Sequence, residues 1–274
     1  MEPITLHTMA RRYLMSRDGK LRAEYAALPD DGRRSFGYTD EAKRIFPRYD
    51  VVAAMLLEVE RLDPDDLPPV DRLATALATA ASSARSVLTT DLGAVEAEAT
   101  AAERELFRRG IRSWVTAEDL VVEPLPYRRV FGDEEVQDWR WRLERRWGFA
   151  RDQTLWHPLI AETVPEDVLV VSADAMWDAG GFERVHEALA ATGLRRVVEI
   201  REHGDPSCLL DLDEFAPSYT GAEGIWTDDT LDWIAYASHE SSVAFGGTLA
   251  EHLRTSWADL ADWGWVAIWD QPAK

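Results

Sequence analysis

The hydrophobic positions of the first hundred residues recur at the spacing of an α-helix. Apolar side chains at positions 6, 9, 10, 13 and 14 return every three or four residues, and those at 51, 52, 55, 56, 59 and 62 do the same. Each segment therefore has one apolar face, which predicts two amphipathic helices. Residues 29–38 are polar and rich in turn formers, and residues 63–69 hold three prolines. Both segments are predicted to be loops.

A second pair of helices is predicted by a more regular spacing. Apolar residues from Val70 to Val87 step by three and four, and after a break at 91–93 those from Val95 to Leu106 continue the pattern. This is the seam pattern of an antiparallel helical hairpin. Its small side chains fit either an arm for a possible homodimer or for partner capture, or simple packing within a bundle.

The pattern changes after residue 116. Short extended pieces are predicted at 121–122 and 127–131. Residues 133–147 predict a helix, because acids begin it, arginines end it and Gly148 follows it. The apolar stripe of this helix is formed by Val136, Trp139, Leu143 and Trp147, and Trp141 lies off the stripe.

Alternating apolar positions predict strands beyond residue 165. The run 168–171 predicts a first strand, and a helix beginning near Asp174 or Asp178 is expected to end before Gly193. Residues 195–202 with 208–212 predict one β-hairpin, and residues 233–237 with 242–245 predict a second. A helix over 248–263 and a last strand over 265–269 complete the chain.

These patterns together predict an α+β protein. An N-terminal helical region with the helical hairpin precedes a domain with a small, mostly antiparallel sheet flanked by helices. The predicted division is a helical region at 1–115, a connector with one helix rich in arginine and tryptophan at 116–165, and an acidic α+β domain at 166–274.

The charge of the chain narrows its possible partners. Its 274 residues include 50 acidic and 30 basic side chains, for a net charge of −20. Such a chain repels phosphates and anionic lipid, which argues against plain nucleic-acid binding and against membrane-surface binding. Residues 152–274 hold 23 acids and six bases, a net charge of −17. This imbalance indicates either a solvated acidic surface or a partner of opposite sign.

Residues 104–151 are the exception, with 11 arginines and nine acids. The arginines fit a phosphate site, a contact with the acidic domain, or packing at helix ends beside tryptophan. Most of this group is formed by Arg108, Arg109, Arg112, Arg128, Arg129, Arg140, Arg142, Arg145 and Arg146.

The chain has a single cysteine, Cys208, and its first residues lack the apolar stretch of a signal peptide. We therefore expect a cytoplasmic protein. No window of 18 apolar residues occurs, so no membrane span is predicted.

Signatures of cofactor and metal chemistry are absent from the sequence. It contains no HExxH, CxxC, GxGxxG or GxxxxGK[ST] motif, so no cofactor is predicted. Asp211 and Asp213 alternate along a predicted strand and would share a face, where they could hold a divalent cation. An acidic strand that resists aggregation is the other interpretation.

One histidine has a sequence context that suggests catalysis. His239 and Glu240 lie in the predicted turn between two strands, among three serines. A histidine beside hydroxyl groups suggests a nucleophile and base, although adjacent turn residues are expected to point apart. A histidine that hydrogen-bonds the turn backbone is the alternative.

The segment 218–233 combines aromatic and acidic residues. Trp226 and Trp233 flank Asp228, Asp229 and Asp232, which is the composition of a protein-binding patch if the rings are exposed. Sugar stacking and a simple core role are the other interpretations.

The function predicted from the sequence is binding rather than catalysis. An acidic, tryptophan-rich chain without a catalytic signature fits a protein that sequesters a basic partner, as an immunity or antitoxin protein does with a nuclease-type toxin. The alternatives are a hydrolase or transferase whose site is assembled from scattered residues such as Asp211, Asp213, His239 and Glu240, and a structural subunit of an assembly.

Overall fold

The computed structural model describes residues 1–29, 33–34, 37–90, 92–148, 167–203 and 206–266. The chain forms two compact units, Met1–Leu125 and Pro126–Lys274. The first is helical and the second contains an antiparallel sheet flanked by helices, so the predicted α+β class is confirmed. The boundary between the two units falls after Leu125. The helix Asp133–Trp147, which was predicted to lie in a connector, therefore belongs to the second unit. No described helix is long and apolar enough to cross a bilayer.

Unit 1 is a bundle of four helices, each of which contacts the other three. Its elements are α1 (Pro3–Ala26), β1 (Arg33–Arg34), β2 (Gly37–Tyr38), α2 (Asp40–Glu60), α3 (Val70–Ser83) and α4 (Ala94–Val115). The two amphipathic helices predicted first are α1 and α2. Thr39 begins α2 by accepting a hydrogen bond from the backbone N–H of Ala42. A shared core of leucine, valine, methionine and phenylalanine side chains lies between the helices.

The predicted helical hairpin is formed by α3 and α4. Arg104 of α4 donates to the carbonyl of Ala84 and Arg108 donates to Ser82, so the two helices run in opposite directions. The seam residues Leu73 and Leu77 are fully buried in the core of the bundle. This burial agrees with the interpretation that the seam serves packing within the bundle. A homodimer through the hairpin would have to use another face.

The predicted extent of α3 was wrong. The helix ends at Ser83 rather than at Val87, because Ala84 adopts an extended conformation with a ψ of 132°. A 3₁₀ turn follows at Val87–Thr89.

Unit 2 is built on a seven-stranded sheet with the order β3-β6-β5-β7-β8-β9-β4, in which all neighbouring strands are antiparallel. The strands are β3 (Arg128–Val130), β4 (Leu169–Ser172), β5 (Arg196–Arg201), β6 (Cys208–Asp211), β7 (Gly224–Thr227), β8 (Trp233–Ser238) and β9 (Ser242–Gly247). The helices are α5 (Asp133–Trp147), α6 (Asp174–Asp178), α7 (Gly181–Ala191) and α8 (Thr248–Ser256).

The two predicted β-hairpins are confirmed as β5 with β6 and β8 with β9. Strand β7 was not predicted, although it lies between β5 and β8 and joins the hairpins into one sheet. Cys208 begins β6, is completely buried, and lies opposite Val130 on one side and Glu199 on the other.

Helices cover both faces of the central strands. All six residues of β8 are buried. On one face, Ile234 and Tyr236 pack in a core with Trp139, Leu143 and Trp147 of α5. The alternate residues of β8 face the other way, and α8 contacts both β8 and β9. As predicted, α5 ends at Gly148, which has the left-handed conformation with a φ of 73°.

The predicted C-terminal elements require a correction. Helix α8 ends at Ser256 rather than near Trp263, because the backbone at Trp257 is extended and a separate 3₁₀ turn, Leu260–Trp263, follows. The strand predicted over 265–269 lies partly outside the described residues. Within them, Gly264 forms an isolated bridge with Val171 and Trp265 donates to the carbonyl of Val170.

Candidate functional site

The two tryptophans of the candidate binding patch are buried, which is the core interpretation of this segment. Trp226 is 0% exposed and Trp233 is 4% exposed. Both rings make edge contacts with Phe215, at centroid distances of 6.1 and 5.9 Å. The condition for a binding patch, exposed rings, is therefore not met, because Trp226 and Trp233 lie on β7 and β8, two interior strands of the sheet.

Trp226 belongs to a buried polar network in the sheet. Its indole N–H donates to Oε2 of Glu199 at 2.9 Å, and Arg201 donates to Oε1 of the same carboxylate at 2.8 Å. The Arg201 guanidinium also lies 4.9 Å from the centre of the Trp226 ring. Glu199 thus accepts hydrogen bonds from both Trp226 and Arg201, and buried polar groups need such partners.

The three aspartates of the predicted patch do lie together, in the turn between β7 and β8. Asp228 accepts hydrogen bonds from the backbone N–H and the hydroxyl of Thr230, so it shapes the turn. Asp229 and Asp232 are exposed, and an oxygen of Asp229 lies 3.7 Å from Arg142. This turn therefore offers two exposed carboxylates, one of them partly neutralised, without an exposed ring between them.

Asp211 and Asp213 do not form the predicted pair on one strand. Strand β6 ends at Asp211, whose Oδ2 accepts from the backbone N–H of Tyr127 at 2.6 Å. Asp213 lies in a 3₁₀ turn, is largely exposed, and has an oxygen 3.7 Å from Nε2 of His186. Among the described residues, no group of three or more histidine, cysteine or acidic side chains is arranged to hold a metal ion.

His239 and Glu240 converge rather than point apart, which corrects the sequence expectation. Nε2 of His239 lies 3.1 Å from Oε1 of Glu240. Nδ1 of His239 lies 2.6 Å from Oε1 of Glu223, which is 7% exposed. The other oxygen of Glu223 accepts a hydrogen bond from the hydroxyl of Tyr236. We call these four residues the His239 cluster.

The backbone explains why the His239 cluster forms. Glu223 directly precedes β7, and Tyr236 lies on β8 opposite Ile225, so both face the same side of the sheet. Ser241 has a φ of 55°, which tightens the β8–β9 turn where the histidine lies.

The geometry of the cluster fits a positioned acid–base group. A carboxylate only accepts hydrogen bonds, so both ring contacts of His239 are satisfied at once when both nitrogens carry hydrogen. The buried Glu223 fixes the orientation of the ring, as the carboxylate does in carboxylate–histidine pairs. The side chain of His239 is 53% exposed, so it is open to solvent.

A different exposed tryptophan lies on the acidic unit. Trp177 of α6 is 70% exposed, and its ring packs edge-on against Phe182 of α7 at 4.6 Å. Asp174 and Asp178 are three residues before and one residue after it, and both are exposed. Together with the exposed Glu183 of α7, these residues are called the α6–α7 surface.

Trp177 was not predicted as a site residue because tryptophan and aspartate are denser in the segment 226–233. The available signal was the short stretch of residues 174–178, in which two aspartates bracket a tryptophan before a Gly-Gly pair. In a helix, residues i, i+3 and i+4 share a face, so Asp174, Trp177 and Asp178 are displayed together.

Comparison of the chain with protein-family models, with characterised proteins and with solved structures found no match. The function of this chain must therefore be inferred from its own side chains.

Proposed function

We propose that this protein binds and sequesters a basic protein partner through the α6–α7 surface, in the manner of an immunity or antitoxin protein acting on a nuclease-type toxin. The observation that carries the proposal is the exposed Trp177 ring, bordered by Asp174 and Asp178 on the same helical face. As part of the same proposal, we infer that the protein acts in the cytoplasm.

The chemistry of this surface favours a cationic segment. An exposed indole attracts an arginine or lysine through its ring face, which contributes about 0.5–2 kcal/mol. Carboxylates beside the ring accept hydrogen bonds from the same side chain. In a nuclease, the basic residues that contact phosphates would be available to these carboxylates. Arg184 is the nearby base, but it donates to the carbonyl of Ala179 and lies over Trp257.

The charge of the unit supports association with a basic partner. Unit 2, residues 126–274, holds 28 acids and 13 bases, and this net charge of −15 steers a cationic protein toward it before any contact is made. This long-range attraction is screened within ~8 Å at physiological ionic strength. Association should therefore slow steeply as salt rises.

The anchor is tested by paired substitutions of exposed tryptophans. Trp177→Ala is compared with Trp141→Ala, since Trp141 is 54% exposed but lies beside Arg145 on α5. We expect Trp177→Ala to weaken binding of an arginine-rich peptide on the order of tenfold, or ~1.4 kcal/mol, and Trp141→Ala to leave it unchanged. Titration calorimetry measures both. Equal losses would contradict the assignment of the surface.

The carboxylates are tested by association kinetics. The double substitution Asp174→Asn with Asp178→Asn should slow association and reduce its salt dependence. Asp259→Asn with Asp262→Asn removes the same charge from two other exposed positions and serves as the matched control.

The proposal of a basic partner is tested by capture. The full chain, used as bait in its native host, should capture a basic protein whose activity it inhibits.

A second candidate function is acid–base catalysis at the His239 cluster. The observation that favours it is the buried Glu223, which engages both His239 and Tyr236. Turnover of chromogenic carboxylic and phosphate esters should then disappear in His239→Ala and fall in Tyr236→Phe. Turnover that survives both changes would remove this candidate.

A further inference from the structure

The two edges of the sheet in unit 2 differ in what protects them. Among the described residues, the sheet ends at β3 on one side and at β4 on the other. An edge strand exposes unpaired backbone groups, to which the strand of another molecule can add. Proteins prevent such addition with short edge strands, with charged side chains, or with a segment that covers the edge.

Strand β3 is protected by its length and its charge. It has three residues, of which two are arginines, and Glu135 of the following helix holds Arg129 at 2.9 Å. Such a short, charged strand offers another strand little to pair with.

Strand β4 has neither of these two forms of protection. Its four residues, Leu169–Ser172, are uncharged, and the first three are large and apolar. One side of the strand pairs with β9, which leaves the backbone groups of the other side for a further strand. This edge therefore needs a covering segment.

A short segment near the end of the described chain covers the β4 edge. Gly264 forms an isolated antiparallel bridge with Val171, and the backbone N–H of Trp265 donates to the carbonyl of Val170 at 3.3 Å. The indole N–H of Trp265 donates to the carbonyl of Glu240, in the β8–β9 turn, at 2.9 Å. We call Gly264 and Trp265 the strap.

The strap is held far less firmly than the strands. Its bridge to β4 is a single residue pair, whereas β4 pairs with β9 over four residues and β8 pairs with β9 over six. Segments with few backbone hydrogen bonds open locally at a lower free energy than the centre of a sheet. The strap should therefore open while the sheet stays intact.

We propose that the strap guards the β4 edge, and that its release lets β4 pair with β4 of a second copy of this chain. Antiparallel pairing centred on Val171 places Val170 of one copy opposite Ser172 of the other. The carbonyl of Val170 faces away from β9, because it accepts from the strap, and alternation places the backbone groups of Ser172 on the same side. Each of these pairs then exchanges both of its backbone hydrogen bonds.

The charge of the protein opposes this pairing at long range. Each copy has a net charge of −20, so two copies repel each other in dilute salt, and added salt screens the repulsion. Pairing through β4 should therefore strengthen as salt rises, whereas association with the proposed basic partner should slow. The β4 edge uses none of the residues of the α6–α7 surface, so either proposal can fail without the other.

The proposal is tested by two substitutions of Trp265 in the full chain. Trp265→Pro removes the backbone N–H that donates to Val170 and the indole that donates to Glu240, whereas Trp265→Phe removes only the indole. Sedimentation velocity in about 0.5 M salt, where the repulsion is screened, measures self-association. We expect Trp265→Pro to dimerise on the order of tenfold more tightly than the wild type, and Trp265→Phe to stay close to the wild type.

Hydrogen exchange locates the interface and measures the opening of the strap. The amide of Val170 should be protected in the Trp265→Pro dimer and should exchange faster in the dilute monomer. In the wild type, the amide of Trp265 should exchange faster than the amides of β8 and β9. Far-UV circular dichroism establishes that each variant is folded.

Three results would each overturn the proposal. The first is a folded Trp265→Pro chain that self-associates no more than the wild type or Trp265→Phe. The second is a Trp265→Pro dimer that leaves the amide of Val170 unprotected. The third is a wild-type Trp265 amide that exchanges as slowly as those of β8, because such a strap would not open while the sheet is intact.

Discussion

The two units hold their buried carboxylates in different ways. In the helical unit, Glu103 of α4 is 1% exposed and accepts from Arg17 at 2.6 and 2.9 Å and from Arg48 at 2.9 Å. Its partners lie 86 and 55 residues away on other helices. In the sheet unit, Glu199 pairs with Arg201 two residues later and with Trp226 on the adjacent strand.

The difference follows from where the backbone hydrogen bonds run. A helix satisfies its backbone within itself, so only side chains can connect one helix to another. Strands are connected to their neighbours by the backbone ladder itself. Buried ion pairs such as Arg17 with Glu103, and Arg11 with Glu60, therefore connect one helix to another in addition to the apolar core. The corresponding pairs in the sheet fill positions in a topology that the backbone already fixes.

The largest expected effect is at Glu103. Glu103→Ala leaves Arg17 and Arg48 without their shared acid, and we expect unit 1 to lose about 3 kcal/mol of unfolding free energy. Far-UV circular dichroism is dominated by helices α1 to α4 of unit 1, and tryptophan fluorescence reports mainly unit 2, because 11 of the 12 tryptophans follow residue 125. Glu98→Ala, at an exposed position of α4, is the control and should change little.

A smaller effect is expected at Glu199. Glu199→Gln removes the charge that Arg201 faces but keeps an acceptor, so the loss should be about 2 kcal/mol and should appear in the fluorescence transition. Glu202→Gln, at an exposed position of the same segment, is the matched control. A loss at Glu199 greater than that at Glu103 would reverse the comparison between the units.

The pH dependence of the helical unit should show two opposite contributions, of which Asp50 is the first. Burial raises the pKa of Asp50 to about 6, with Arg22 opposing the rise and Asp18 adding to it. Because this is above the value of 3.8 for the unfolded chain, the stabilising contribution is complete below pH ~4 and is lost as the pH rises through 6. Asp50→Asn should therefore raise the melting temperature at pH 8 relative to the wild type.

His7 provides the second contribution. Burial lowers its pKa to about 4, while a hydrogen bond to the carbonyl of Val59 opposes the shift and Arg11 adds to it. The folded state binds the proton less well than the unfolded state, so stability is complete above pH ~6.5 and falls as the pH drops toward 4. His7→Gln should flatten this part of the profile in thermal melts from pH 4 to 7. An unchanged slope would contradict the assignment.

Periodicity was sufficient to predict most of the helices and strands, but not strand β7, the ends of α3 and α8, or the assembly of the elements. The stripes of α1, α2 and α5 and the hairpins β5–β6 and β8–β9 were all visible in the sequence, because each has one buried side or a clear turn. Strand β7 was missed because all but one of its four residues are buried, which removes the alternation that marks a strand.

The candidate sites were harder to predict because they depend on long-range placement. Glu223 reaches His239 only because β7 and β8 pair in one register, and that register cannot be read from either segment alone. The acidic neighbours of Trp226 left both a surface patch and a core role open, and its ring is inside the sheet unit. Exposure depends on the order of the strands, which local composition does not determine.

The complete burial of Cys208 makes this residue a chemical probe of opening in the sheet. Since the chain has one thiol, a single mass increase after treatment with a thiol reagent identifies the reacted molecule. The thiol in β6 can react only when the strands beside it separate. Where reclosing is faster than the chemical step, the labelling rate measures the free energy of that opening at Cys208, without denaturant.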